Sequence, residues 1–353
     1  MKSNDYKKYY DSYDATRMFM YALIFPYLGV FLLYMIYTMI GSSINITPKE
    51  FYDLLPILMI NAVIMQVCFV VVFFVFNHKR KINFITATKL NKKTNAWVIA
   101  IALCMGFAVL WFSSPLITMF EKGLEAIGFE IKSDLGFNLD NAGTIIFALI
   151  GLGLLPAFIE EFIFRGAILQ GLRKHGDWFA IIVSALLFML IHANIQQTFY
   201  QFGFGLLAGW LVVKTGTIWV SILIHALNNC FIVTLTAIED CSNVAQEVVK
   251  IDTPFILKTI LYIAILAGLL WLGIYLIKRI LKKEQQEVKP IEQSKNNKKE
   301  KKQIVEAEDG SRQMTLKDGF NDYFGDKIRK RDGLLTLFLA VCMFVINSVA
   351  MLM

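Results

Sequence analysis

Charge is scarce in this 353-residue chain: only 18% of residues are Asp, Glu, Lys or Arg, where a soluble domain carries roughly a quarter. The cysteines number five, Cys68, Cys104, Cys230, Cys241 and Cys342. That number is odd, no CxxC pair occurs, and all but Cys241 sit inside apolar runs, so neither a disulfide framework nor a thiolate metal site is indicated. No stretch reads GxSxG or HExxH, the signatures of a serine nucleophile elbow and of a zinc-protease helix. No period of about 20–50 residues repeats, which leaves a repeat-built transporter without support.

What is abundant is hydrocarbon. Hydrophobic residues make up 56% of the chain and mean hydropathy is +0.55. The excess collects in runs of about 17–27 residues, the length that crosses the ~30 Å apolar core of a bilayer as a helix. The expected fold is all-α, a polytopic transmembrane helix bundle of about nine spans, near 18–41, 54–77, 96–120, 143–171, 177–195, 198–215, 217–237, 254–280 and 334–352. The fifth and sixth are the weakest, because 194–201 is polar between them. A soluble enzyme, a disulfide-rich secreted domain and a disordered scaffold are excluded. The organisation reads as an N-terminal segment with three spans (1–140), a central bundle (141–283), a charged linker (284–333) and a last span (334–353). The linker mixes Lys, Glu, Gln and Asn with few apolar residues, and so reads as solvated and partly disordered.

The net charge of +7 does not call for nucleic acid as a partner. The basic residues gather at the ends of apolar runs, where they set topology and anchor to headgroups; the one tail cluster is Lys298, Lys299, Lys301 and Lys302. Lys79, Arg80, Lys81, Lys89, Lys92 and Lys93 follow the second run, Arg173 and Lys174 the fourth, and Lys214 ends the sixth. Intervening connections, 121–140 and 239–252, are acidic or poor in basic residues. With alternating spans, every basic connection falls on one side, which predicts a cytoplasmic N-terminus in a multi-pass protein of the cell membrane.

The informative residues are ionisable groups placed where lipid is expected. The fourth span reads Leu155-Pro156-Ala157-Phe158-Ile159-Glu160-Glu161-Phe162-Ile163-Phe164-Arg165. Each charge at a helix centre costs about 2.5–3.5 kcal/mol even on the lenient insertion scale. Glu161 and Arg165, four apart, can pair on one face; Glu160, rotated by about 100°, is left to face something else. Pro156 removes a helical hydrogen bond to Leu152 and predicts an irregularity just before the carboxylates. His192 lies four residues after Phe188 in the fifth span, and His225 and Asn229 share a face of the seventh.

Depth connects these groups. At ~1.5 Å per residue, Glu160 lies about 20 Å from the basic end of its helix, His192 about 22 Å beyond Asp177, and His225 and Asn229 about 12 and 18 Å beyond Thr217. All are measured from the same membrane face, so three helices deliver polar groups to one layer. Single members have plainer readings: Glu161 with Arg165 as a packing pair, Asn194 and Asn228 as interhelical glue, and Phe162, Phe164 and Phe188 as packing.

A carboxylate beside a neutral imidazole can take a proton from water. A second imidazole and a carboxamide one turn apart can donate to an oxyanion. Together these are the parts of amide hydrolysis without a covalent intermediate. The order Glu160-Glu161-x-x-Phe164-Arg165, Phe188-x-x-x-His192, His225-x-x-x-Asn229 resembles the intramembrane glutamyl proteases of the CAAX-processing and bacteriocin-processing (Abi-type, CPBP) family. The resemblance covers about 140–237.

It implies an endopeptidase acting on a membrane-associated peptide or protein precursor within the bilayer. In that reading Glu160 activates water with His192, Glu161 and Arg165 support the site, and His225 and Asn229 stabilise the oxyanion. No cofactor and no metal are implied, although two Glu and two His could also supply zinc ligands. Two other classes stay open: a non-proteolytic scaffold, immunity or regulatory protein, and an ion-coupled transporter that uses the same groups as a relay.

Overall fold

The computed structural model describes residues 7–43, 47, 54–131, 137–242, 250–293, 315–325 and 327–350. Among these the regular structure is helical, joined by turns and loops, with an isolated bridge between Lys7 and Ile82. The helices are α1 (Ser12–Ser43), α2 (Leu55–Arg80), α3 (Ala96–Ala126), a composite rod α4 (Ala142–His175), α5 (Asp177–Ile191), α6 (Thr198–Thr215), α7 (Trp219–Ser242), α8 (Thr253–Gln293), α9 (Leu316–Gly325) and α10 (Lys327–Ala350). The polytopic all-α bundle is as expected.

The count of spans differs. Among the described residues, seven helices are long and apolar enough to cross a membrane: α1, α2, α3, α4, α7, α8 and the Arg331–Ser348 part of α10. The two that fall short are the fifth and sixth runs of the sequence. Helix α5 has 15 residues, about 22 Å at helical rise, and it stops at His192, where Asn194 caps a 3₁₀ turn over Ile195–Gln197. Helix α6 then packs back along α5. The polar residues 194–201 thus separate two helices that pack against each other as a hairpin. Large apolar side chains elsewhere point outward, Trp271 at 69% and Phe338 at 63% exposure, surfaces that lipid rather than water would cover.

Two segments of α4 are π-helical, Leu149–Leu154 and Phe162–Ile168, and they bracket the regular stretch Leu155–Glu161. The first ends beside Pro156, whose missing N–H disturbs the ladder; the wide turns aim the carboxylates between them. Gly153 permits a close approach: a Cβ there would lie 2.8 Å from Cys230 Sγ of α7. Gly176 (φ 108°) makes the reversal between α4 and α5, a conformation that L-residues rarely adopt.

The N-terminus is tied to the end of α2. Tyr10 donates to Asn77 Oδ1 at 2.7 Å, and Asp14 accepts from Arg80 Nε at 2.7 Å. Within the expected linker of 284–333, α8 runs on to Gln293, and α9 is an amphipathic helix docked on the core. The basic cluster from Lys298 to Lys302 lies outside the described residues. Docking of α9 centres on His175, a fully buried side chain whose Nε2 lies 2.6 Å from Ser12 Oγ and whose Nδ1 lies 2.5 Å from Asp322 Oδ2. Gly319 lets α9 sit directly on the His175 backbone. Helix α10 then packs on α1 and α5.

Candidate active site

The three polar elements predicted to share a depth do meet. Glu160 Oε2 lies 4.0 Å from His192 Nε2 and 3.9 Å from His225 Nε2. Glu161 turns the other way, accepting from Arg165 Nη1 at 2.8 Å and from His225 Nδ1 at 2.9 Å through Oε1. Glu161 and Arg165 are fully buried. The two adjacent carboxylates therefore approach His225 from opposite nitrogens, Glu160 facing Nε2 and Glu161 bonded to Nδ1, as their ~100° offset on the helix allows.

Hydrogen-bond chemistry fixes the histidine tautomers. His192 Nδ1 lies 2.7 Å from the Phe188 carbonyl, and a carbonyl can only accept, so Nδ1 carries hydrogen. His225 Nδ1 faces the Glu161 carboxylate, another acceptor, and must also donate. In the neutral rings both Nε2 atoms then present lone pairs, and both point toward Glu160 Oε2. A proton donor between these acceptors satisfies them together.

Aromatic rings hold the imidazoles in place. Phe188 meets His192 edge-on at 4.7 Å and His225 at 5.9 Å, and Phe204 meets His225 at 5.4 Å. The Arg165 guanidinium carbon lies 4.2 Å from the Phe188 ring centroid, a cation–π contact that offsets part of the cost of burying the charge. Phe164 packs on Phe188 and Phe162 on Phe73, at 5.1 and 5.4 Å. Ser184 of α5 donates to the Phe164 carbonyl inside the second π-helical segment, at 2.9 Å, joining α5 to the irregular backbone.

Asn229 sits one shell away. Its Oδ1 accepts from Asn228 Nδ2 at 3.0 Å, and its Nδ2 donates to the Leu152 carbonyl at 3.4 Å. Asn228 Oδ1 in turn accepts from Tyr200 of α6, so Asn228 does join two helices. Asn194, expected as interhelical glue, instead caps its own turn by accepting from Gln196 N at 2.9 Å. One residue of the site carried no signal in the sequence: Gln66 of α2 donates through Nε2 to Glu160 Oε1 at 2.7 Å. An uncharged amide in an apolar run has no periodicity and little insertion cost to betray it. Among the described residues no group of three or more His, Cys, Asp or Glu side chains is arranged to hold a metal ion.

A membrane bundle with buried carboxylates facing imidazoles from two other helices defines a class, and comparison with known proteins supplies the family. Residues 142–231 match the family model described as "Type II CAAX prenyl endopeptidase Rce1-like", so this core is similar to the CAAX-processing and bacteriocin-processing (CPBP, Abi-type) proteins. A curated relative from Bacillus subtilis (strain 168), described as "Putative membrane peptidase YdiL", is 28% identical over 140 residues, which is 39% of this chain and 55% of the relative. The match thus spans about half of that relative's length. No solved structure gives a significant match.

Proposed function

We propose that the protein is an intramembrane endopeptidase that hydrolyses a peptide bond in a membrane-associated peptide or protein precursor, with water as the nucleophile. The observation that carries this reading is the convergence of Glu160 Oε2, His192 Nε2 and His225 Nε2 within 4.0 Å inside the bundle. The similarity of residues 142–231 to the Rce1-like family model supports it.

In this reading a water molecule donates one hydrogen bond to Glu160 and another to His192. As its oxygen attacks the scissile carbonyl carbon, Glu160 takes the proton. The carbonyl π pair becomes an oxyanion, which accepts hydrogen bonds from Asn229 Nδ2 and from His225 when its Nε2 carries hydrogen. Glu161 accepts from the far side of the His225 ring and so supports positive charge there, while Arg165 balances Glu161. Collapse of the oxyanion breaks the C–N bond, and Glu160 returns its proton to the leaving amine. Residues of the chain supply every step, so the reaction is written without a metal.

Orientation belongs to the same proposal. The basic ends of α2 and α4 face the cytoplasm with the N-terminus, which is checked by labelling single cysteines placed at residue 8 and residue 250 in intact cells.

The deciding experiment is peptide release from membrane-anchored precursors in detergent or proteoliposomes, comparing the wild-type chain with Glu160→Gln. Cleavage by the wild-type chain alone is the expected result. Equal cleavage by both would overturn the assignment, and loss of activity to a chelator with recovery on adding zinc would replace it with a metalloprotease.

A further inference from the structure

The first three spans have no part in the chemistry described so far, and the family match begins only at residue 142. Gln66 is the exception. It comes from the middle of α2, 94 residues before Glu160 in sequence, and its Nε2 lies 2.7 Å from Glu160 Oε1. A carboxylate can only accept, so the nitrogen must face Glu160 and the amide oxygen must face away.

This contact matters because a carboxylate has two equivalent oxygens and a loose terminal torsion. An oxygen pinned by Gln66 cannot rotate toward the imidazoles, so the other one, Oε2, is presented to both Nε2 atoms. The remaining end of the amide is equally telling. Gln66 Oε1 is buried and has no hydrogen-bond partner among the described residues. A buried, unpaired acceptor is an unfavourable arrangement that folded proteins seldom retain without a reason. The backbone N–H of an extended peptide is a donor of the right kind to complete it.

We propose that Gln66 is a positioning residue for Glu160, and that its free carbonyl oxygen receives a backbone N–H of the bound peptide next to the scissile bond. The proposal rests on the endopeptidase reading and deepens it. One amide then aligns base and substrate together: its nitrogen orients the base, and its oxygen registers the peptide so that the scissile carbonyl meets the water on Oε2. It also gives the N-terminal spans a task, since α2 delivers this group to the core.

The test uses the full-length chain and two near-isosteric variants. Gln66→Met loses both hydrogen bonds and keeps the volume; Gln66→Glu loses the donor and keeps an acceptor. With a precursor that the wild-type chain cleaves and Glu160→Gln does not, kcat is expected to fall about 10- to 100-fold in both variants, a range typical of misplaced catalytic groups. KM is expected to rise several-fold in Gln66→Met and to change less in Gln66→Glu. Melting temperatures measured alongside separate these effects from loss of fold, because a purely structural role would lower stability and leave both constants of the folded fraction unchanged. That pattern would overturn the proposal.

A second readout needs no cleavage. In infrared difference spectra of wild type against Gln66→Met, the Glu160 carboxylate stretch, assigned by its disappearance in Glu160→Gln, is expected to move. An unmoved band would remove the positioning role whether or not any substrate is found. A wild-type chain that cleaves nothing while the band moves would sink the protease reading and the peptide contact, and would leave the Gln66–Glu160 bond supported.

Discussion

Asn229 Nδ2 donates to the carbonyl oxygen of Leu152 across 3.4 Å, the carbonyl that Pro156, four residues on, cannot serve as a helical donor. One sequence feature, a proline in a span, thereby creates a docking point for a side chain of another helix. The bond is long for N–H···O, so the amide is weakly held, which in the proposed mechanism leaves donor capacity for an oxyanion.

Pro156→Ala is expected to restore a backbone donor for Leu152 and to compete with Asn229. Because proline inside a helix costs about 3 kcal/mol, the variant should melt higher than the wild-type chain. It should also cleave about 10-fold more slowly, as the wide turn before Glu160 tightens and the carboxylate shifts. Thermal melts in detergent and cleavage kinetics on one preparation check both directions, and an equally active variant would speak against a role for the π-helical turn.

Glu160→Ala, Glu160→Gln and His192→Ala should each lower cleavage by about 10²–10⁴-fold, the range for general acid–base groups. They should leave insertion and elution volume unchanged, because Glu160 makes its one short contact to Gln66 and His192 to a backbone carbonyl. Peptide release and size-exclusion chromatography are the measurements.

Arg165→Met alone is expected to be far more damaging to the fold than Arg165→Met combined with Glu161→Gln. The single change leaves Glu161 buried without its cationic partner, and breaking one half of a buried pair costs about 3–5 kcal/mol. Removing both charges takes away the penalty together with the attraction. The ratio of melting temperatures for the single and double variants tests this. The double variant should be inactive, since His225 then loses its charged partner Glu161.

Asp322→Asn or His175→Phe should release the C-terminal helices without touching the layer of Glu160, His192 and His225. His175 is buried and bridges Ser12 of α1 to Asp322 of α9, with Tyr323 packed against its ring at 5.2 Å. Amide exchange across 316–325 should accelerate by an order of magnitude or more, as local opening loses a buried polar restraint. Exchange around Glu160 should stay as in the wild-type chain.

Much of the candidate site could be read before any fold was known, and the reason is energetic. Lipid penalises charge so heavily that Glu160, Glu161, Arg165, His192 and His225 stand out from their spans, and helical rise alone puts Glu160, His192, His225 and Asn229 at one depth. The pairing of Glu161 with Arg165 was local, one turn along a helix, and therefore legible. The shortness of α5 was visible only as a polar interruption at 194–201, because apolar runs report burial in lipid or protein alike and cannot say whether a helix crosses the membrane completely.

What the amino-acid sequence determined by itself is thus the helical class, the apolar spans and the layer of ionisable groups, all set by transfer free energies that act residue by residue. Tertiary structure alone decided which carboxylate oxygen faces the imidazoles, that Gln66 holds the other, that Asn229 reaches a carbonyl orphaned by Pro156, and that His175 fastens the C-terminal helices. Each of those is a directional contact of about 3 Å between segments distant in sequence, and such contacts depend on how helices rotate and slide against one another, a property of their packing that no single helix contains.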